Sequence, residues 1–577
     1  MAMTTSRMGP ARTVGGPTFS ELFTPKLVTV LREGYSFAHF RSDALAGLTV
    51  AIVALPLSMA IAIASGGTPA QGLYTSIFGG LVVSLLGGSR FQIGGPAGAF
   101  IVLVAGTVQQ HGMQGLLLAT ILAGLMLVAI GLFRLGTYIK FIPYPVTVGF
   151  TSGIALIIFS SQIKDLLGLS LAGPEPGPLL EKLPVLWSAL PSVNISALLV
   201  SAVTVVSIVA VRRLRPQWPA MLIGVAAASV VTAAFGLPVA TIGTQFGGIS
   251  SHLPMPALPE FSIEKVVAIL PNAVAFALLG SIESLLSAVV ADGMTGRRHR
   301  SNCELVAQGV ANIVSAIFQG ICVTGTIART ATNVRAGAHG PIAGIMHSAF
   351  LLVFVLVAAP LASYIPLAAL AGVLAVVCWN MVERHAFAML LRASAGDALV
   401  LLATFGLTVF RDLTEAIVVG FALGSVLFIH RMSRTTAIEV DLPLVPEDRS
   451  DTGNSGRQSY EEGAASDHDV VVYRISGAFF FGAAASIGTV LDRISDSHRA
   501  LIIDFSSVPF VDSTAANTIE GLAHKAGRRS VGVVLTGTTH AIRRDLLAFG
   551  IKPPLVSFAD SIESARAKVR RKLKNRA

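Results

Sequence analysis

The sequence predicts a multi-span α-helical membrane domain followed by a small α/β domain, and three observations carry that prediction. The 577 residues are 53% hydrophobic and only 13% charged, with a mean hydropathy of +0.72, outside the range of soluble globular chains. Apolar segments of roughly 18 to 22 residues recur over about the first 430 positions, each long enough to cross about 30 Å of hydrocarbon as a helix. From about residue 468 short strand-like runs alternate with helical stretches instead.

Residues 1–42 read as a cytoplasmic leader of Pro, Gly, Ser and scattered charge, without the apolar core and cleavage site of a secretory signal, so the first span serves as an uncleaved insertion signal. Its end, FTPKLVTVLREGYSF, reads either as an interfacial amphipathic stretch or as a lead-in without structure.

Residues 43–433 read as one membrane domain of many spans. The net charge of +10 is topological, because the basic residues cluster beside span ends and not on a nucleic-acid-binding face. Arg32 and Arg41 precede the first span; Arg90, Arg134, Lys140, the group Arg212, Arg213 and Arg215, the run GRRHR at 296–300, Arg384, and Arg431 with Arg434 follow later ones. The long connections LAGPEPGPLLEK and FGLPVATIGTQFGGISSHLPMPALPE carry almost no Lys or Arg. The positive-inside rule then puts both termini in the cytoplasm and makes the number of spans even, most simply fourteen. Cys303, Cys322 and Cys378 are far apart in apolar surroundings and read as small core residues, with neither disulfide nor zinc spacing. With no GxxxxGK loop anywhere, the chain does not read as an ATP-driven pump.

Two apolar stretches are too interrupted to be ordinary spans. SRFQIGGPAGAFIVLVAGTV meets GGPAG before a helix can form, and GICVTGTIARTATNVRAGAHG, residues 320–340, does the same at VTGT. Gly disfavours helix interiors and Pro is welcome only in the first turn, so Pro96 and the residues after Gly325 mark helix starts partway through the bilayer. Matching interruptions in two halves point to a transporter binding site between inverted repeats. A helix that begins near the midplane exposes N–H groups that hydrocarbon leaves unsatisfied, and its dipole puts about half a positive charge there. Two such ends make an anion site, and Arg329 in the first turn of the second adds a full charge that is tolerable beside an aqueous cavity and a bound anion. Thr326 and Thr330 offer hydroxyls, while Gly95, Ala97, Gly98 and Ala328 let backbone approach the ligand. The competing reading makes Arg329 a structural charge, paired with a carboxylate or bonded to carbonyls.

The carboxylate available is Glu283, in NAVAFALLGSIESLLSAVVADG, a span otherwise uncharged until its cytoplasmic end. It reads as a coupling group able to carry a proton. With Ser287 one turn later on the same face, and carbonyls of the broken helix such as that of Gly325, it is also suited to Na⁺; alternatively it is only the partner of Arg329. No cofactor is implied. Ser301 and Glu304 in RSNCEL read as a capping box. Gln308, Asn312 and Asn333 read as polar glue between helices, His347 as a packing histidine with its hydrogen bonds satisfied, and Glu383, Arg384 and His385 as solvated.

LPLVPEDRSDTGNSGRQSYEEGAASD has little to bury, and residues 434–467 read as a linker. In residues 468–577, DVVVYRISG, ALIIDFSSV and VGVVLTG read as strands and STAANTIEGLAHKAG and THAIRRDLLAFG as helices, enough for a domain with its own core.

At these residues the chain resembles the SulP sulfate-permease family, the solute-carrier-26-like anion transporters. The pieces that carry the resemblance are AGLTVAIVALPLSMAIA, GLYTSIFGGLVVSLLGGSRFQIGGPAGAF, SIESLLSAVVADGMTG with SNCELVAQGVANIVSAIFQG, and VTGTIARTATNVRAGAHGPIAGI. The last domain resembles STAS domains through IIDFSSVPFVDSTAANTI. The resemblance implies fourteen transmembrane segments in a seven-plus-seven inverted repeat, a core moving against a gate, and an anion held between spans 3 and 10. The site would then comprise Ser58 and Ile61 of span 1, Ala97 and Gly98 of span 3, Glu283 and Ser287 of span 8, and Thr326, Ala328 and Arg329 of span 10. Leu57 in LPLSMA stands where many relatives carry glutamine, which removes a possible substrate hydrogen bond. Ser513, after Asp512, occupies the position phosphorylated in related bacterial regulators, with helix capping as its default role.

The function expected is secondary active transport of a small anion (dicarboxylate, sulfate or bicarbonate) coupled to H⁺ or Na⁺, by a homodimer in a bacterial inner membrane, with STAS supporting dimerisation or protein contacts. An uncoupled anion channel and a membrane sensor signalling through STAS are the alternatives.

Overall fold

The computed structural model describes residues 19–139, 143–173, 175–216, 218–411, 413–434, 437–441, 470–480 and 499–574. It divides into two compact units, Met1–Phe421 and Ala422–Ala577. Residues 1–18 of the expected leader, Lys140, residues 435–436 and 442–467 of the expected linker, and residues 468–469 of the last domain lie outside the described residues.

The first unit begins with α1 (Phe19–Phe23) and α2 (Lys26–Arg32). The end of the leader is therefore folded: Lys26 N–H donates to Gly87 O at 2.9 Å, Val30 is buried, and Glu33 pairs with Arg90. The first half of the chain continues through α3 (Phe37–Ala64), α4 (Pro69–Tyr74), a π turn at Thr75–Gly79, α5 (Gly80–Leu86), β1 (Gly94–Gly95), a 3-10 turn at Gly98–Phe100 and α6 (Ile101–Leu132). Gly112, at φ 69°, breaks α6 into two. Then come α7 (Gly136–Ile139), α8 (Tyr144–Leu167), α9 (Leu179–Ala189), α10 (Ile195–Leu214), α11 (Ala220–Phe235) and α12 (Ile242–Phe246). The second half has α13 (Ile263–Thr295), α14 (Ser301–Ile317), β2 (Thr324–Gly325), α15 (Ile327–Arg335), α16 (Ile342–Ala362), α17 (Leu367–Met381), α18 (Arg384–Ala393), α19 (Ala395–Phe410) and α20 (Leu413–Arg434). Among the described residues nine helices are long and apolar enough to cross a bilayer, and α11 and α19 are shorter apolar helices.

The helices sort into two packed groups. In one, α6 lies against α13 and α14, α3 against α16, and α15 against α3 and α13; in the other, α8 lies against α17 and α19, and α10 against α11 and α17. Each half of the chain contributes the same kinds of element to each group. The two meet where α3 touches α8, α11 and α17 and where α6 and the 3-10 turn before it touch α8. Small residues set the closest approaches: a Cβ on Gly124 of α6 would meet Gly309 O of α14 at 2.6 Å, so the two backbones pack almost in contact.

α3 starts earlier than the sequence reading put the first span. Ser36 caps it, accepting from His39 N–H at 3.3 Å. Asp43, taken as the span boundary, is fully buried; it accepts from Tyr35 Oη at 2.6 Å and from the N–H groups of His339 and Gly340 at 2.5 and 3.1 Å.

In the second unit a five-stranded sheet runs in the order β3 (Ala437–Asp441), β4 (Val470–Ser476), β5 (Ala500–Ser507), β6 (Gly532–Thr536) and β7 (Ser557–Phe558), antiparallel between the first pair and parallel thereafter. Period-two alternation divides its faces. Val471, Tyr473, Ile503 and Phe505 pack with Ile519 and Leu522 of α21 (Ser513–Arg528) and with Ile542 and Leu546 of α22 (His540–Ala548), while Val472 and Ile502 pack with Ala565 and Val569 of α23 (Ile562–Lys574). The expected linker thus contains a sheet strand, β3. The cap of α21 is Asp512, accepting from Ala515 N–H at 2.9 Å; Ser513 is its exposed first residue.

Candidate functional site

Both interrupted stretches are broken as their composition requires. β1 and β2 pair antiparallel, Gly94 opposite Gly325 and Gly95 opposite Thr324, as two repeats related by an axis in the membrane plane would pair them. Thr326 N–H extends the pairing to Ile93 O at 3.1 Å. Extended residues lead into the two helices: Ala97 (φ −112°, ψ 145°) before the 3-10 turn that opens α6, and Thr326 (φ −108°, ψ 125°) before α15. Neither end has a side-chain cap, which leaves first-turn N–H groups available. Asn312 braces the strand entering β2, accepting from Val323 N–H at 3.0 Å and donating to Val323 O at 2.7 Å; Asn333 Nδ2 donates to Phe91 O at 2.9 Å.

Arg329, one turn into α15, is fully buried. Its Nη1 donates to Ser76 Oγ at 3.1 Å, and its Nη2 to Ser58 Oγ at 3.1 Å and to Pro96 O at 3.2 Å. The Oγ atoms of Ser58 and Ser76 lie 2.9 Å apart, while Nε has no partner among the described residues. Glu283 does not pair with Arg329: among the described residues the guanidinium makes no ion pair with any carboxylate. Hydroxyls and a carbonyl fix its direction without neutralising it.

The remaining sequence-named residues divide by what they touch. Ile61, Ala97 and Thr326 are buried, Gly98 and Glu283 are half-buried, and Ala328 is exposed. A Cβ on Gly98 would meet Met381 Sδ at 3.5 Å and Ile158 Cδ1 at 3.9 Å, so the first turn before α6 faces α8 and α17 of the other helix group. Ser287 and Thr330 are turned to each other, Ser287 Oγ donating to Thr330 Oγ1 at 3.1 Å while Thr330 also accepts from Ile93 N–H at 3.2 Å. Their hydroxyls tie α13 to the strand crossing.

Two residues were missed. Ser76 sits in the π turn, where the sequence offers no periodic cue. Gln92 donates to Ser284 O at 3.0 Å and its amide fills the space a side chain on Gly325 would need; a lone polar residue in FQIGG was its only signal. Two minor readings are also corrected. Ser301 and Glu304 form no capping box: α14 has no side-chain cap, Ser301 Oγ meets His299 Nε2 at 3.0 Å, and buried Glu304 accepts from Ser89 N–H at 3.0 Å and Gln308 Nε2 at 2.9 Å. His347 is buried, but neither ring nitrogen has a hydrogen-bond partner.

Comparison with known proteins agrees with this architecture. Residues 40–404 match the sulfate permease family and residues 464–565 the STAS domain. The chain is 39% identical over 510 residues to "Putative sulfate transporter YvdB" of Bacillus subtilis (88% of this chain, 93% of that protein). It is 31% identical over 527 residues to "Bicarbonate transporter BicA" of Synechocystis (88% and 90%). Among solved structures, SLC26A9 superposes with a TM-score of 0.82 at 18% identity, covering 96% of this chain and 93% of that one. The transmembrane domain of a cyanobacterial BicA superposes at 0.60 with 31% identity, covering 66% and 98%. With two interrupted helices whose short strands cross inside one helix group, and an α/β unit after them, the chain belongs to the sulfate permease family of transporters.

Proposed function

We propose that this protein is a secondary active transporter of small oxyanions or dicarboxylates, and not an enzyme, working by alternating access with the anion held at the uncapped starts of α6 and α15. The observation that carries this reading is Arg329, a buried cation whose partners are two hydroxyls and a carbonyl and which no carboxylate neutralises. A buried unpaired charge is costly; an oxyanion arriving between the helix ends supplies the missing charge and takes up free N–H groups. Relatives named for sulfate and for bicarbonate transport support the oxyanion class.

Substrate lining falls to Ser58, Ile61, Ala97, Gly98, Thr326, Ala328 and Arg329. Coupling falls to Glu283, which is half-buried in an apolar helix and pairs with no cation among the described residues. We favour a proton there over Na⁺, because the Ser287 hydroxyl is committed to Thr330 and Gly325 is backed by Gln92. The proposal extends to fourteen spans within residues 43–433, a STAS unit over 468–577 joined by β3 from the preceding segment, cytoplasmic termini, a bacterial inner membrane and a homodimer.

The test is uptake into proteoliposomes of labelled sulfate, bicarbonate and succinate under an imposed pH or Na⁺ gradient. Accumulation above the external concentration, driven by one gradient and not the other, is the expected result. Flux that only ever runs downhill would replace the transporter with a channel.

A further inference from the structure

Where α3 starts, two imidazoles lie face to face. His39, in the first turn of α3, and His339, in the turn between α15 and α16, have ring centroids 3.8 Å apart and planes within 1° of parallel. Tyr35 packs against both, at 5.7 and 6.1 Å. Beside the stack Asp43 accepts from Tyr35 Oη and from the His339 and Gly340 N–H groups, and Ser42 Oγ donates to Gly337 O at 2.5 Å. These contacts fasten the chain leaving the Arg329 half-helix onto the first helix of the bundle.

The arrangement is built for neutral rings. Ser36 N–H donates to His39 Nδ1 at 3.3 Å, one arm of the cap on α3, and an Nδ1 that has taken up a proton no longer accepts that bond. Two imidazolium rings at the observed spacing repel each other. The charged groups around His339 come from three parts of the chain: Asp43 of α3 favours its protonation, while His39 of the same helix, Arg90 before β1 and Arg297 after α13 oppose it. Burial is the largest influence, and together these hold His339 below its ordinary value of 6.5.

We propose that the His39–His339 stack is an acid-sensitive latch, which closes the α15–α16 turn onto α3 while the His339 ring is neutral and releases it when that ring takes up a proton. The latch lies apart from Glu283 and does not depend on the coupling role given to that residue. Its sign follows from linkage: a histidine depressed in the folded state contributes stability that is fully present above about 6.5 and is lost as pH falls below it. Opening of the turn then grows by up to about tenfold per pH unit for each proton taken up.

Hydrogen exchange on the purified full-length protein tests this without any mutation. Amides of residues 336–340, corrected for intrinsic rates, should lose protection between pH 7.5 and 5.5, while those of α14 do not. Protection that stays constant across that range would overturn the latch. The variant His339→Phe keeps an aromatic face and loses the proton site, so it should flatten the fall of Tm with acidification; a slope equal to wild type would also overturn the latch. Glu283→Gln should keep the wild-type slope even where it abolishes gradient-driven uptake, and a slope abolished by Glu283→Gln would move the acid response to that residue.

Discussion

Arg329 and Gly95 occupy one volume: a Cβ built on Gly95 would collide with Nη1 of Arg329, with Ser76 Oγ 3.0 Å away. The strand crossing therefore stays open for the guanidinium only while residue 95 has no side chain. Gly95→Ala should displace the guanidinium from Ser76 and Ser58, at an overpacking cost of about 1–3 kcal/mol. The expected readout is a loss of anion affinity of roughly tenfold or more, with a smaller fall in Tm. An unchanged Kd in the folded variant would detach Arg329 from the binding site.

Arg329 itself separates charge from geometry. Arg329→Lys keeps a cation but loses the fork that reaches Ser76, Ser58 and Pro96 together. Arg329→Ala removes both, and loss of a buried charged partner costs about 2–5 kcal/mol in binding. Calorimetric titration should rank wild type above Lys and Lys above Ala, the last weaker by at least about thirtyfold. Equal affinities for the three would leave the N–H groups of the helix ends as the sole anchors.

Glu283→Gln removes the exchangeable proton while keeping size and polarity. Substrate affinity should stay within about threefold of wild type, because Arg329 does not pair with Glu283, whereas uptake driven by a pH gradient should vanish. If gradient-driven accumulation persists in the variant, the proton travels elsewhere.

The breaks in the two half-helices were legible in the sequence because Gly and Pro act locally: GGPAG and VTGT forbid helix wherever they fall. Arg329 was legible because a charge in such a stretch has few places to go. What surrounds it was not. Ser58 and Ser76 reach the guanidinium across sequence distances of 271 and 253 residues, and no local pattern encodes such a meeting. The same holds for Glu304, whose neighbours in RSNCEL suggested a cap while its carboxylate crosses to Ser89, 215 residues away. In the second unit the central strands announced themselves by β-branched runs, but β3 is held by its pairing with β4, and the apolar stripe of α23 is as short as Ile562, Ala565 and Val569 within a basic stretch.

Glu304 gives the sharpest test of structure without chemistry. Its two oxygens accept from Ser89 N–H and Gln308 Nε2, so it fastens α14 to the turn between α5 and β1. A Cβ on Gly87 would stand 3.2 Å from its Oε2, so the carboxylate lies close against the turn it holds. Glu304→Ala strands a buried backbone donor, at about 1–3 kcal/mol, and should lower Tm by several degrees while leaving anion Kd unchanged. Glu304→Gln retains one carbonyl oxygen for Ser89 and should recover part of the loss. A Glu304→Ala protein as stable as wild type would show that the turn is held by its other contacts, and a Glu304→Gln variant weaker than Ala would mean that the charge is what the turn requires.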